Sequence, residues 1–481
     1  MLLIELDRDS ALPAYQQIRD RIVGLVEDRT LQPGDRLPPT RVLAESVGVH
    51  RTTVVRAYEE IRALGYLESR AGSYTTVRRR ARPPATVQRQ ESATARDLID
   101  WVGDRDRPGP AVPDPVDTVD FERLAADPSL APAADLRRCL RDALLRDGPA
   151  SVDYTSPEGW LPLRETVARR LRAHGLAVSA DEILITNGAQ QALDLSLRLL
   201  TRPGDRAVVE APTYGMLHPL LRLHRVKAVE VAMRSDGMDL DALASVLDGT
   251  KVRLVYTMPT FHNPTGVTTD QSHRERLLTL CEQHSTPLVE DGFEEEMKYF
   301  GRAVLPVKSM DAGGVVLYVG TFSKVVFPGL RLGWIAAHRD AVNRLATIQH
   351  ASCLAANTLA QAAADRFCRS GDYEAYLRRI HRVYRRRMLT LLDALERHLP
   401  AGVVWTRPAG GYTLWLTLPE PAAAESVITA DLTASGVRVA PGRLFFDAAP
   451  ERAHIRLSIA CVDETSIDKG CRRIGEVLRR R

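Results

Sequence analysis

Residues 315–331 read VVLYVGTFSKVVFPGLR. The run Val315–Val319 is apolar and rich in β-branched side chains, the composition of a strand buried on both faces. It ends in Thr321-Phe322-Ser323-Lys324, after which Pro328-Gly329 turns the chain. One strand end therefore receives the hydroxyls of Thr321 and Ser323, the primary amine of Lys324 and, just beyond the turn, the guanidinium of Arg331. Open α/β sheets carry their ligand sites outside the carboxyl ends of their strands. The stretch predicts such a sheet, with an amine at its working edge.

The same rhythm extends on both sides of this stretch. The segments EILIT (182–186), RAVVEAP (206–212), VRLVYTMP (252–259), TPLVEDG (286–292) and GWIAAH (333–338) alternate with helical stretches. This predicts a large, mostly parallel α/β/α part over about 165–350. From 351 to 481 a long Arg-rich helical segment precedes VVWTRPAGGYTLWLTL (403–418), VRVAPG (437–442) and HIRLSIA (454–460), a smaller α+β part to which 119–150 is assigned. The body is thus expected to span 119–481. Residues 79–118 are rich in Pro and Arg and read as a linker.

Residues 1–78 follow another pattern. Tyr15, Ile18, Ile22 and Leu25 line one face of a helix within 12–29. Thr40 is expected to cap a second helix that ends at Gly48. A third runs from His50–Thr52 to Leu64, with Val54, Ala57, Tyr58 and Ile61 inward. Tyr66–Ser69 and Tyr74–Val77 then pair around Ala71-Gly72. The expectation is a mainly helical winged helix-turn-helix with a β wing.

Bulk properties exclude several classes. No apolar run reaches the ~18 residues that a membrane span needs, and Met1–Asp9 lacks the basic and apolar regions of a signal peptide. Six scattered cysteines without a CxxC pair favour reduced thiols, a cytoplasmic location and no metal site. The net charge is only +4, and residues 1–80 hold 13 Arg and no Lys against 11 acids, so any case for nucleic acid rests on placement. His50, Arg51, Thr52, Thr53 and Arg56 cluster at the start of the third helix, where a recognition helix meets base edges. Arg51 has the reach for a bidentate guanine contact. Thr40, Arg41, Thr52, Gly72 and Ser73 suit phosphates of a double-stranded operator. The competing reading is a three-helix packing module with surface arginines.

The body is read against the needs of pyridoxal 5′-phosphate (PLP). The cofactor requires an amine, a carboxylate at its ring nitrogen, anion donors for its phosphate, a donor to its phenolic oxygen and a stacking partner. The chain has six lysines, and Lys324 alone combines a strand end with a following Pro-Gly turn; Lys298, after three glutamates, and Lys308 read as surface. Asp291 closes TPLVEDG and suits the ring nitrogen, with Glu290 facing the other way. Gly188-Ala189-Gln190 opens a helix whose N–H groups would meet an anion. Thr321, Ser323 and Arg331 add hydroxyls and charge, Asn263 suits the phenolic oxygen, and Tyr214 suits the ring face. Each residue alone has an ordinary alternative as turn or core; their joint order, each at a βα junction, carries the reading.

Two resemblances bear on these segments. LQPGDRLPPTRVLAESVGVHRTTVVRAYEEIRALGYLESRAGSYTTV (31–77) resembles the GntR-type winged helix-turn-helix, with His50 where that family commonly has a capping serine and Tyr74-Thr75-Thr76 in place of its usual wing residues. YTSPEGWLPLR, ITNGAQQAL, APTYG, HNPTG, VEDGFEEE, GTFSK…GLRLGW and HIRLSIA, spread over Asp120–Leu478, resemble class I aminotransferases of fold-type I. That likeness implies Lys324 as the Schiff-base lysine, Asp291 at the ring nitrogen, Asn263 near the phenolic oxygen, Tyr214 on the ring, Thr321 and Arg331 at the phosphate, and Arg456 on an effector carboxylate. Phe293 departs from it, standing where a tyrosine commonly donates to the cofactor. The combination resembles the MocR family of transcription regulators. It implies a homodimer with head-to-tail exchange of DNA heads, and an amine, an amino acid or PLP itself as effector. The alternative is a working aminotransferase with an appended DNA-binding head.

Overall fold

The computed structural model describes residues 4–8, 10, 12–69, 74–78, 117–326, 328–419 and 425–480. Two compact units divide the chain, Met1–Gly103 and Asp104–Arg481.

In the first unit, helices α1 (Ala14–Glu27), α2 (Thr40–Val47) and α3 (Arg51–Ala63) bury Ile18, Ile22, Leu43, Val54, Ala57, Tyr58 and Ile61 together. Strands β1 (Leu67–Ser69) and β2 (Thr75–Val77) form an antiparallel wing that adds Leu67 and Val77 to this core. On α1, Leu25 is only half-buried, and Val23 and Val26 pack against the core. Thr40 is not a cap. Pro39 holds the cap position and Thr40 begins the helix, because extended Pro39 already turns the chain into α2. Gly48, at φ +70°, ends α2 in the left-handed conformation that glycine adopts without strain. His50 caps α3, its ring accepting the Thr52 N–H at 3.4 Å. The Tyr58 hydroxyl donates to the Pro38 carbonyl at 2.8 Å and fixes α3 to the loop before α2. The wing tip, with Gly72 and Ser73, lies outside the described residues, as does 79–116 of the expected linker.

The second unit is built on an eight-stranded sheet in the order β4-β11-β10-β9-β8-β5-β6-β7. Its strands are β4 (Ile183–Thr186), β5 (Arg206–Ala211), β6 (Lys227–Arg234), β7 (Gly237–Met238), β8 (Leu254–Thr257), β9 (Leu288–Asp291), β10 (Val316–Thr321) and β11 (Gly333–Ala336). Neighbours from β10 through β6 run parallel, while β11 is antiparallel to both β10 and β4. β8, β9 and β10 are buried along their whole length, which explains their uninterrupted apolar sequences. Alternate residues serve opposite faces. Val209, Leu254, Val289 and Leu317 pack on one side with helices Ala189–Leu200, Leu217–Leu223 and Arg339–Cys353. Val208, Val255, Leu288 and Val316 pack on the other with helices Leu240–Gly249 and Gln271–Gln283.

The C-terminal region adds an antiparallel sheet of β12 (Val404–Trp405), β13 (Thr413–Thr417), β16 (His454–Ser458) and β15 (Ala440–Pro441), with helices Asp372–His398 and Glu464–Arg479 against it. β3 (Val119–Asp120) returns to this part and pairs with β14 (Val437–Arg438). A buried ion pair, Asp127–Arg387 at 2.7 Å, fastens the segment after β3 to the long helix.

Candidate cofactor site and nucleic-acid interface

Sheet register gathers the candidate residues. Thr321 pairs with Gly333, Gly333 with Thr186, and Val319 with Asp291. The ends of β4, β10 and β9 are therefore neighbours, and so are the turns that follow them. Gly188, at φ +89°, caps the helix Ala189–Leu200. A Cβ on Gly188 would stand 2.9 Å from Arg331 Nη2, and φ +89° is a conformation L side chains rarely adopt, so glycine here gives this cation a close approach to the helix N-terminus. Arg331 donates to the Asn187 carbonyl at 2.8 Å. Thr321 Oγ1 accepts the Ser323 N–H at 3.0 Å and donates to the Leu332 carbonyl at 3.0 Å. Ser323 Oγ is buried and has no hydrogen-bond partner among the described residues.

Lys324 follows β10 and is half-buried; its Nζ donates to the Leu124 carbonyl at 2.6 Å. Burial lowers its pKa, while the nearby Glu294 opposes that shift. Asp291 is 3 % exposed. Burial raises its pKa to about 6, against the pull of the Tyr256 hydroxyl, which donates to Oδ2 at 2.9 Å. Oδ1 has no partner among the described residues. Glu290 does face away: it accepts the Val307 and Lys308 N–H groups, both at 2.8 Å. Tyr214 donates to Gln190 Oε1 at 3.1 Å, and burial pushes its phenol up to about 12. Asn263 is buried and accepts from Arg456 Nη1 at 3.3 Å. Arg456 is itself buried, which lowers its pKa to about 10, and it also donates to the Glu122 carbonyl.

Several residues of the site escaped sequence reasoning. The three glutamates after Phe293 had no role assigned from the sequence, and each meets an internal partner. Glu294 is fully buried and accepts the Tyr412 N–H at 3.0 Å. Glu295 accepts the Tyr318 hydroxyl, and Glu296 pairs with Arg170 at 2.5 Å. Burial raises the pKa of Glu294 and of Glu295 to about 8. Lys308 is likewise no surface residue: its side chain is 8 % exposed and meets buried Asp311 at 2.7 Å. Lys298 is half-buried. Tyr256 gave no signal beyond its place in an apolar strand. Phe293 packs into the apolar cluster on one face of the sheet and brings no hydroxyl to the site.

In the first unit, Arg41, His50, Arg51, Thr52 and Arg56 are exposed, and Thr40 and Thr53 are half-buried. Arg56 stacks 3.8 Å from the Tyr15 ring centroid and donates to the Tyr15 hydroxyl at 3.0 Å. Arg41 stands beside Glu45 at 3.3 Å. Among the described residues Arg51 pairs with no acid, which leaves its guanidinium available at the start of α3.

The donor set fits PLP. Asp291 has one buried oxygen without a partner among the described residues, of the kind a ring N–H would take, Ser323 has a buried hydroxyl without one, and Gly188 leaves room for Arg331 at the helix start. Residues 127–474 match the aminotransferase class I and II family, and residues 14–77 match the gntR family of bacterial regulatory proteins. The HTH-type transcriptional regulator YdcR of Escherichia coli K12 is 34 % identical over 472 residues, covering 97 % of this chain and 99 % of its own. The chain belongs to the MocR-type regulators. The family's body is that of a fold-type I aminotransferase. Aromatic-amino-acid aminotransferase 1 of Thermococcus litoralis is 35 % identical over 76 % of this chain and 89 % of its own. The α-aminoadipate aminotransferase LysN of Thermus thermophilus, solved with N-(5′-phosphopyridoxyl)-L-leucine, superposes with a TM-score of 0.71 at 32 % identity, covering 76 % of this chain and 92 % of that one. PLP is the cofactor of this fold, and the GntR head makes the family DNA-binding. Among the described residues no helix is long and apolar enough to cross a membrane, and no cluster suits a metal ion.

Proposed function

We propose that this regulator senses an amine or amino acid, or PLP itself, through a cofactor held by Lys324, and converts occupancy of that site into a change of grip on an operator. When bound, PLP supplies an aldehyde that captures amines and a ring that draws electrons from them. In this reading Lys324 provides the anchoring nitrogen, Asp291 balances the ring nitrogen, and Asn263 serves the phenolic oxygen. Tyr214 stacks on the ring. Gly188, Ala189, Gln190, Thr321, Ser323 and Arg331 take the phosphate, and Arg456 takes an effector carboxylate. His50, Arg51, Thr52, Thr53 and Arg56 meet bases, and Thr40 and Arg41, with the wing residues Gly72 and Ser73, meet phosphates.

The observation that carries the reading is the pairing, at adjacent strand ends, of the Lys324 amine with a buried aspartate that keeps one oxygen uncommitted, in a chain that also presents an exposed recognition helix. Leu140, Leu144, Leu145, Val152 and Tyr154 stand exposed within a short stretch of chain, apolar surface of the kind a second copy covers. This supports a homodimer, and two exchanged heads would read two half-sites. The coupling between site and operator is reciprocal: whatever factor PLP adds to DNA affinity, DNA adds to PLP affinity.

The test is titration of the full-length protein on DNA from its own upstream region, with and without PLP and candidate amines. Unchanged affinity and footprint would refute the sensing role. A second reading, a working aminotransferase, is favoured by the preserved Lys324–Asp291 arrangement. It requires turnover of an amino acid with a 2-oxo acid at about 1 s⁻¹ or faster.

A further inference from the structure

An extended run, residues 34–37, lies along β2 of the wing. The Gly34 N–H donates to the Val77 carbonyl, the Val77 N–H to the Asp35 carbonyl and the Leu37 N–H to the Thr75 carbonyl, each at 2.9 Å. This register sets Arg36 opposite Thr76 in antiparallel sense. Side chains alternate along such a run. Leu37 is 3 % exposed and belongs to the core, so Arg36 points outward and is exposed. The antiparallel course carries the run from Val77 toward Thr75, the end of β2 nearest the wing turn, and on through Pro38 and Pro39 into α2. Arg36 therefore stands between the start of α2 and the wing turn, the two places whose residues are assigned above to DNA phosphates.

The Arg36 guanidinium lies 4.4 Å from the ring centroid of Tyr74, the first described residue after the wing turn. Tyr74 is 55 % exposed, so its ring is not held there by burial in the core. Stacking occupies the flat face of a guanidinium and leaves its N–H edge free to donate. Among the described residues Arg36 pairs with no acid, whereas Arg41 at the start of α2 stands beside Glu45. Arg36 is thus a cation fixed in direction with its donors unspent. Tyr74 belongs to the Tyr74-Thr75-Thr76 run that departs from the usual GntR wing, so the stack is a feature of this chain's own wing.

We propose that Arg36 binds a DNA phosphate and that Tyr74 is the positioning residue that aims it. The inference rests on the head binding duplex DNA. A guanidinium edge meets a phosphate through parallel N–H donors. It neutralises one backbone charge and releases the counterion that charge had held. Such a contact fixes the head on the duplex and carries no base information. Arg36 therefore adds the same factor to affinity on every sequence, in contrast to Arg51 at the start of α3.

The experiment measures binding of the full-length protein by fluorescence anisotropy, from about 50 to 200 mM salt, to two duplexes of equal length. One is DNA from its own upstream region and the other has a mixed sequence. Arg36→Ala makes the fall of log affinity with log salt shallower by about 0.9 on both duplexes, so its deficit shrinks about 3.5-fold across that range. Arg36→Lys keeps the wild-type slope. Arg62→Ala, in the last turn of α3, also keeps it. Tyr74→Leu weakens binding in the wild type and adds nothing in Arg36→Ala, because the ring acts through the guanidinium. A folded Arg36→Ala protein with the wild-type slope overturns the proposal, as does a loss confined to the upstream duplex. Should Arg36→Ala fail to fold, Arg36→Gln is read in the same way. Losses from Tyr74→Leu and Arg36→Ala that add in full overturn the positioning role. A wild-type protein that binds neither duplex instead refutes the DNA-binding reading, so the two failures are distinct.

Discussion

Replacing Asp291 with asparagine is expected to strengthen the empty protein and weaken its hold on the cofactor. Asp291 is 3 % exposed, and burial lifts its pKa from 3.8 to about 6. At 1.36 kcal/mol per pH unit, the folded state carries a penalty of about 3 kcal/mol whenever this group is ionised. The folded state binds the proton more tightly than the unfolded chain. The penalty is therefore complete above the folded pKa and vanishes as pH falls below 3.8. Asparagine removes the charge, and its side-chain oxygen still accepts the Tyr256 hydroxyl now at 2.9 Å. Near pH 8 the cofactor-free variant should melt about 6 °C above the wild type, taking roughly 2 °C per kcal/mol for a chain of this size. The gap should close as the pH is lowered toward 4. With PLP the order reverses, because the ring nitrogen loses an ionic partner in a buried site. A charge-assisted hydrogen bond of roughly 1.5–3 kcal/mol corresponds to about 10- to 150-fold in Kd. Differential scanning fluorimetry across pH, with and without PLP, reads both effects. A cofactor-free Asp291→Asn protein less stable than the wild type at alkaline pH, or one that binds PLP equally well, would refute the reasoning.

Other substitutions separate the two units. Lys324→Ala should abolish the visible band and borohydride labelling of the 324 peptide while operator binding persists; a label retained elsewhere means another lysine is the anchor. Arg51→Ala should weaken operator binding by roughly 5- to 150-fold, the worth of one bidentate base contact, with the visible band unchanged; electrophoretic mobility shift and an absorbance spectrum on the same preparation check both. Gly188→Ala forces a side chain into φ +89° and against Arg331, and should loosen PLP by about tenfold in a spectral titration, with free inorganic phosphate competing less well than in the wild type.

Much of the architecture was legible in the chain, for identifiable reasons. Uninterrupted apolar runs such as LVYT and VLYVGT mark strands buried on both faces, and turn residues after them locate the ends where Lys324, Asp291 and Gly188 stand. The helix-turn-helix was legible because its inner residues recur at helical spacing and because Gly48 and Gly65 stop its helices. The misreadings share a cause. Thr40 has capping chemistry, but extended Pro39 had already taken the cap position. Lys308 has surface chemistry, but it found a buried aspartate one turn on.

Residue order along the chain was enough to announce a strand-borne amine, its acid and a reading helix, since each depends on neighbours within a few positions. The company those groups keep was decided in three dimensions. Tyr256 on Asp291, Leu124 on Lys324, Glu122 on Arg456 and Tyr412 on Glu294 join segments separated by 35 to 334 residues. Desolvation and pairing act through space, so the protonation state of the site belongs to the packed sheet and not to any single stretch of sequence.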